Sequence, residues 1–157
     1  MKLEEVKSKQ SLKARIAEVE AKDLNWIEKS IEFSFDWSTE QSFEIYKIGL
    51  LSKPGEILGL MSLIDLPQEY RIHLNLLEVG KSNQGKEKEI AHIAACLISF
   101  AAECAFKRGY FGFVSLEPKT VLIEHYKRKY GFQQYGRYLA LEGADSQTLI
   151  ETYLEDE

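Results

Sequence analysis

Apolar residues are spread unevenly along this chain, and their spacing divides it into strand-like and helix-like stretches. Met1 to Gln10 is polar and expected to fray. Over Leu12 to Val19 (LKARIAEV), Ala14, Ile16 and Val19 alternate imperfectly with charged residues, leaving both a first strand and a short helix open. Asp23 suits the N-cap of a helix through Asn25 to Ser30. Phe33, Phe35 and Trp37 then alternate with polar residues, and Asp36 with the Ser/Thr cluster after it predicts a loop held by aromatic anchors. From Phe43 the signal strengthens. FEIYKIGLL and ILGLMSLIDL flank a turn cluster, Ser52-Lys53-Pro54-Gly55-Glu56, which is the pattern of an antiparallel hairpin. A third run, Arg71 to Val79 (RIHLNLLEV), follows a turn at Pro67-Gln68-Glu69. Its Ile72, Leu74 and Leu76, with the Leu77/Val79 pair, predict a buried central strand whose register breaks near its end.

A polar, glycine-containing loop from Gly80 to Lys86 precedes the longest helical pattern. There Ile90, Ile93, Ala94, Leu97, Ile98, Ala101, Cys104 and Ala105 recur at helical spacing, and Arg108-Gly109 supplies a basic last turn and a glycine stop. A strand over Phe111–Leu116, a helix over Thr120–Lys129, strands around Gln133–Leu141 and an amphipathic stretch from Ser146 to Leu154 complete the chain. A strand, loop, helix and strand in succession imply a parallel crossover within a mixed sheet. The fold class is therefore α/β with one sheet, and without an internal repeat or linker residues 1–157 read as a single domain.

Composition narrows the function classes. With 157 residues, 45% hydrophobic and 29% charged, the chain can bury a core of its own. A net charge of −5 argues against non-specific binding to nucleic acid or to an anionic membrane. No apolar run reaches the roughly 18–20 residues a membrane helix needs, and the charged N-terminus lacks a signal core. Cys96 and Cys104 fall on one helix, about 12 Å apart, too far for a disulfide. They read as small core residues of a protein in a reducing cytoplasm. No His/Cys cluster has zinc spacing, so no metal is expected.

The chemistry-bearing block is Ile123 to Phe132, where Tyr126 precedes a Tyr130-Gly131-Phe132 stop at the end of a helix. It resembles the last block of the GNAT acyl-CoA-dependent N-acyltransferases, roughly aliphatic–x–x–Tyr–x–x–x–Gly–Phe. The resemblance, carried by the element order over residues 40–141, implies a mixed, mostly antiparallel central sheet with helices on both faces. It implies acetyl-CoA as cosubstrate, with its pantetheine arm beside the end of the central strand (Leu77, Val79) and its pyrophosphate on the following loop and helix start. That assigns Lys81, Gly85, Lys86, Lys88, Ile93, Ala94 and Ala95 to the cofactor, and Lys119 to the position where the family often has asparagine. The family's phosphate loop reads Gln/Arg-x-x-Gly-x-Gly/Ala. Opened at Gln84, the motif meets Glu87 and Glu89 at its small positions; opened at Glu89, it places His92 on the glycine and Ala94 on the last position, and this second register is preferred. Either way an acid lies near the phosphates.

The resemblance implies Tyr126 as the acid that protonates the departing thiolate, and Glu78, at the end of the central strand, as the base for the amine. The alternatives are a core tyrosine and a solvated carboxylate. His73 alternates onto the opposite face, His125 should point about 100° from Tyr126 so that the two do not pair, and His92 reads as a loop-to-helix residue. Aromatics and acids between Asp23 and Gln41 suit a cationic amine or a plain core edge. The leading expectation is acetyl transfer to a primary amine of a small molecule or protein. A non-catalytic acyl-CoA-binding module with a degenerate loop and an α/β interaction protein without cofactor are the alternatives. Such folds often pair C-terminal strands between subunits, which adds a homodimer.

Overall fold

In the structure, a computed structural model describing residues 1, 3–118 and 123–155, the chain opens with β1 (Leu3–Glu5), β2 (Ser11–Leu12), β3 (Ala14–Glu18) and α1 (Ala21–Lys29). Three longer strands follow, β4 (Glu44–Leu50), β5 (Gly59–Leu66) and β6 (Arg71–Val79). Then come β7 (Ile90–Ala91), α2 (Ile93–Lys107), β8 (Val114–Leu116), α3 (Ile123–Tyr130), β9 (Gln133–Tyr135), β10 (Tyr138–Leu141) and α4 (Gly143–Tyr153). The main sheet is ordered β3-β4-β5-β6-β8-β10-β9. All its pairs are antiparallel except β6 with β8, joined by the α2 crossover.

The central strand carries the detail that shapes the site. Ser62 of β5 faces Leu76 and Leu63 faces Leu74, so Asn75 is an extra residue, a β-bulge. Without it, period-two alternation would turn Leu77 and Val79 away from the face occupied by Ile72 and Leu74. With it, all four face the larger core, while Leu76 joins the smaller one. The register break thus falls at Asn75, slightly before the Leu77/Val79 pair.

The larger core lies between the sheet and α2 and α4, where Leu97, Ile98, Met61, Ile72 and Leu139 are essentially sealed from solvent. Each such side chain contributes about 1.5–3 kcal/mol of transfer free energy. Alanines keep α2 close to the strands. A Cβ on Gly59 would stand 2.7 Å from the Ile93 Cγ2, so only glycine lets β5 and α2 approach this near. Arg108 fastens the far end of α2 by donating to both oxygens of Glu44 on β4, at 2.9 and 2.6 Å. The opposite face buries Ile27 of α1 with Phe33, Trp37, Ile45, Ile57 and Leu60. Helices therefore cover both faces. No helix among the described residues is long and apolar enough to cross a membrane.

Several local expectations are revised. The N-terminal residues do not fray: β1 pairs with β2 and with β7, and Leu3 is 1% exposed. Polarity alone concealed this, because a two-sided strand this short needs only one buried apolar side chain. Leu12 to Val19 resolves as strand. The N-cap of α1 is Glu20, and Asp23 is instead the third helical residue, accepting from the Glu20 N–H at 2.8 Å. Ile90 belongs to a strand rather than to α2, which starts three residues later.

Candidate functional site

β6 and β8 run together only briefly, with Ile72 opposite Val114 and His73 opposite Ser115. Just below the point where they part, the strands are tied by side chains. The His73 Nδ1 lies 2.9 Å from the Ser115 Oγ, Arg71 donates to the same hydroxyl, and the Tyr138 ring stands edge-on to the imidazole. Beyond that tie, the end of β6 from Leu76 to Val79 pairs only with β5 among the described residues. Its other edge offers backbone donors and acceptors to whatever enters, although the Val79 carbonyl already accepts from the Gln84 Nε2 at 2.7 Å.

The gap leads into a cleft of about 510 Å³ lined by Val79, Gly85, Lys88, Ile93, Ala94, Ala95, Tyr126 and Lys129, among others. It contains the start of α2. No side chain caps this helix, and the first amide to bond back into it is that of Cys96, to the His92 carbonyl at 3.0 Å. The N–H groups of Ile93, Ala94 and Ala95 are therefore the unsatisfied positive end of a 15-residue helix. His92, the residue before them, adopts φ 77° and ψ 16°, the left-handed conformation that favours glycine. This agrees with the register in which Glu89 opens the phosphate motif and His92 takes the glycine's place. The loop before it is held differently from a glycine-rich turn: β7 pairs with β1, and Asn83 accepts from the Ile90 N–H at 2.8 Å.

Cations gather at the same cleft. Lys88 is near enough to Lys129 for its charge to matter: the Lys129 ammonium is held below its usual range, by partial burial first and by Lys88 second. His125 is also lowered, by burial, then Lys129, Arg128 and Lys88. His92 is lowered mainly by burial. Such mutual repulsion is relieved by an anion.

Tyr126 stands at the inner wall. Its ring packs against Tyr130 at 5.7 Å and edge-on to Phe132 at 5.8 Å, and burial pushes its hydroxyl above the ordinary tyrosine range. Four residues separate Tyr126 from Gly131, one more than in the family pattern, but the residue at the shorter spacing, Lys127, turns outward to pair with Glu124 at 3.6 Å. The structure also corrects the geometry expected for His125, whose ring lies 6.0 Å from that of Tyr126 and 5.9 Å from that of Tyr130. The ring's reach, rather than its Cβ direction, brings it into the same cleft.

On the opposite face of β6 two acids are buried. Glu78, 5% exposed, accepts from the Ser34 N–H at 2.7 Å, the Ser34 Oγ at 3.1 Å, the Phe35 N–H at 3.2 Å and the Trp37 Nε1 at 2.9 Å. Both oxygens are engaged in fixing the 33–37 segment, which borders a depression of about 610 Å³ beside α1. A solvated carboxylate is thereby replaced by a clamp. Glu40, 7% exposed, accepts from the Ser62 Oγ at 2.6 Å and the Asn75 Nδ2 at 2.7 Å, both on Oε1.

Of the residues assigned from the sequence, Val79, Gly85, Lys88, Ile93, Ala94, Ala95 and Tyr126 line one cleft. Leu77 lies beneath it, half-buried against the larger core. Lys81 and Lys86 are exposed and do not line the cleft, because the turns at Lys81–Asn83 and Gly85–Glu87 direct them outward. Lys119 lies outside the described residues. Sequence reasoning missed Lys129, set His125 aside on its direction, and held Glu40 only as one of the acids between Asp23 and Gln41 that suit a cationic amine. Lys129 follows Tyr126 by three residues on the same helix, which a helical projection from Tyr126 could have found, whereas nothing in the sequence singled out Glu40 among its neighbouring acids.

This architecture recurs among solved acetyltransferases. A chimera of the spermidine N-acetyltransferase SpeG from Vibrio cholerae and hSSAT superposes with a TM-score of 0.62 at 13% identity, over 88% of this chain and 99% of that one. An acetyltransferase of the GNAT family from Streptococcus pneumoniae gives 0.55 at 15% identity, over 84% and 100%. AtaTR bound with AcCoA gives 0.54 at 13% identity, over 88% and 98%. The chain has the GNAT fold. Neither a protein-family model nor a curated protein matches the sequence.

Proposed function

We propose that this protein transfers an acetyl group from acetyl-CoA to a primary amine. The observation that carries the reading is one cleft, at the parting of β6 and β8, containing the open start of α2, the Lys88–Lys129 pair and Tyr126. Acetyl-CoA would supply an activated thioester. The amides of Ile93, Ala94 and Ala95 with Lys88 and Lys129 suit its phosphates, because unpaired donors and uncompensated cations meet there. The free edge of β6 suits its amide-bearing arm as an added strand. As the amine nitrogen bonds to the acetyl carbon and the C–S bond breaks, Tyr126, which keeps its proton at neutral pH, donates it to the leaving sulfur. The proton shed by the amine passes to water and so restores the tyrosine. Glu78, proposed from the sequence as the base, acts on this reading by positioning the 33–37 segment, since its oxygens already accept four hydrogen bonds.

One fold neighbour, AtaT, is solved complexed with acetyl-methionyl-tRNAfMet, so amines carried on RNA belong in an acceptor panel with small amines and peptide N-termini. Acetyl-CoA at a hundred times its dissociation constant should stabilise the fold by about 2.7 kcal/mol. A thermal scan without any shift would overturn the reading. A shift without thiol release from any amine would favour an acyl-CoA-binding module. Tyr126→Phe is expected to slow turnover about a hundredfold while leaving the thermal shift unchanged.

A further inference from the structure

Three other buried or half-buried acids in this protein are compensated. Asp23 meets Lys47 at 2.6 Å, Glu44 meets Arg108 at 2.6 Å, and Glu78 has its four donors. Glu40 is different. It is as buried as Glu78, yet no cation among the described residues comes within ion-pairing distance. Both of its close donors, Ser62 and Asn75, use Oε1, while Oε2 receives only the Thr39 hydroxyl at 3.4 Å. A buried carboxylate of this kind is expensive unless a charged partner arrives.

Its place makes the missing partner informative. Asn75 is the bulged residue of β6, exposed, and two residues beyond the stretch paired with β8. The Glu40 carboxylate is one side chain behind that opening, on the face opposite the cationic cleft. We propose that Glu40, with Asn75 as its outer neighbour, is the recognition site for the ammonium group of the acceptor. An ammonium has three donors and no acceptor. Oε2, which holds only the long Thr39 contact, the shared Oε1 and the Asn75 Oδ1 can receive all three once the Asn75 amide turns. The proposal takes its acceptor class from the acetyl-transfer reading, but the binding it describes needs no acetyl-CoA.

The test is therefore direct. n-Butylammonium is titrated into the full-length, ¹⁵N-labelled protein at neutral pH, and the Asn75 side-chain amide signals are followed. A saturable shift is expected, absent with 1-butanol, and at least about tenfold weaker in Glu40→Gln, which keeps the shape but removes the charge. Ser62→Ala removes a hydrogen bond of the same network but keeps the charge, and should retain binding. Should Glu40→Gln fail to fold, Glu40→Asp, with its carboxylate drawn back by one methylene, should weaken binding likewise. No saturable shift in the wild-type protein, or equal affinity in the Glu40 variant, overturns the proposal. Amine binding without an acetyl-CoA thermal shift would leave this site standing and remove the transferase reading; the converse would do the opposite.

Discussion

The two faces of the β6 end beyond Asn75 differ in charge and in how fully that charge is answered. On the α2 side, Lys88, Lys129, His92 and His125 meet at a cleft whose amides also seek an anion. On the α1 side, two carboxylates are buried, one saturated by four donors and one whose second oxygen receives only the Thr39 hydroxyl at 3.4 Å. A strand that parts from its neighbour thus separates an anion-receiving side from a cation-receiving side. On the acetyl-transfer reading proposed above, two substrates of opposite charge can approach the same backbone without competing. The contrast between Glu78 and Glu40 adds that burial alone does not identify a working acid; the count of donors and cations around it does.

The largest effect expected from breaking this contrast is on stability. Glu78→Ala strands four donors, two of them backbone amides, and should cost about 3 kcal/mol or more, lowering the melting temperature by roughly 10 °C. Glu40→Gln keeps both neighbours satisfied and should cost less than about 1 kcal/mol. Equal losses in calorimetry would erase the distinction. On the cationic side, Lys88→Ala and Lys129→Ala should each weaken acetyl-CoA about fivefold, less at high salt, with titration calorimetry as the readout. Because the two lysines repel each other, the first substitution should also raise the Lys129 ammonium toward its ordinary range.

Smaller effects sharpen the picture further. His92→Gly relieves a left-handed backbone and should stabilise the protein by about 0.5–1 kcal/mol, after the entropy of glycine and the lost contact with the Tyr153 ring are set against it. An urea titration measures this. The histidines give a pH dependence. His73, His92 and His125 all sit below the ordinary 6.5, so the unfolded chain binds protons first. Their contribution is complete above pH 6.5 and is lost as pH falls through the depressed values. Acetyl-CoA should reduce that loss through His92 and His125, which line the cleft, and not through His73 across the sheet.

Much of the frame was legible because it rests on periodicity. The β4–β5 hairpin, the α2 stripe and the glycine after Tyr130 are local patterns, and the structure realises them. The tyrosine helix was legible too, although its spacing runs one residue long. What escaped depends on contacts distant in sequence. β1 looks like a tail until β7, some eighty residues on, supplies its partner. Glu78 reads as a surface acid until residues 34 to 37 fold over it, and Glu40 has no motif because its meaning comes from Ser62 and Asn75. The phosphate loop was the hardest segment, since His92 occupies a conformation usually advertised by glycine.

The partial pairing of β6 also has a consequence in time. A strand at the centre of a sheet ordinarily has its amides locked on both sides, so they exchange with solvent only when the whole domain opens. Here the half below Asn75 is bordered by β5 and β8, whereas in the half above it the amides facing β5 are held and those facing the gap are not. Hydrogen exchange should therefore alternate residue by residue along Leu76 to Val79, slow then fast, inside a strand at the centre of the sheet. The fast members would slow only when another strand-like molecule lies in the gap, turning the protein's own backbone into a clock for occupancy.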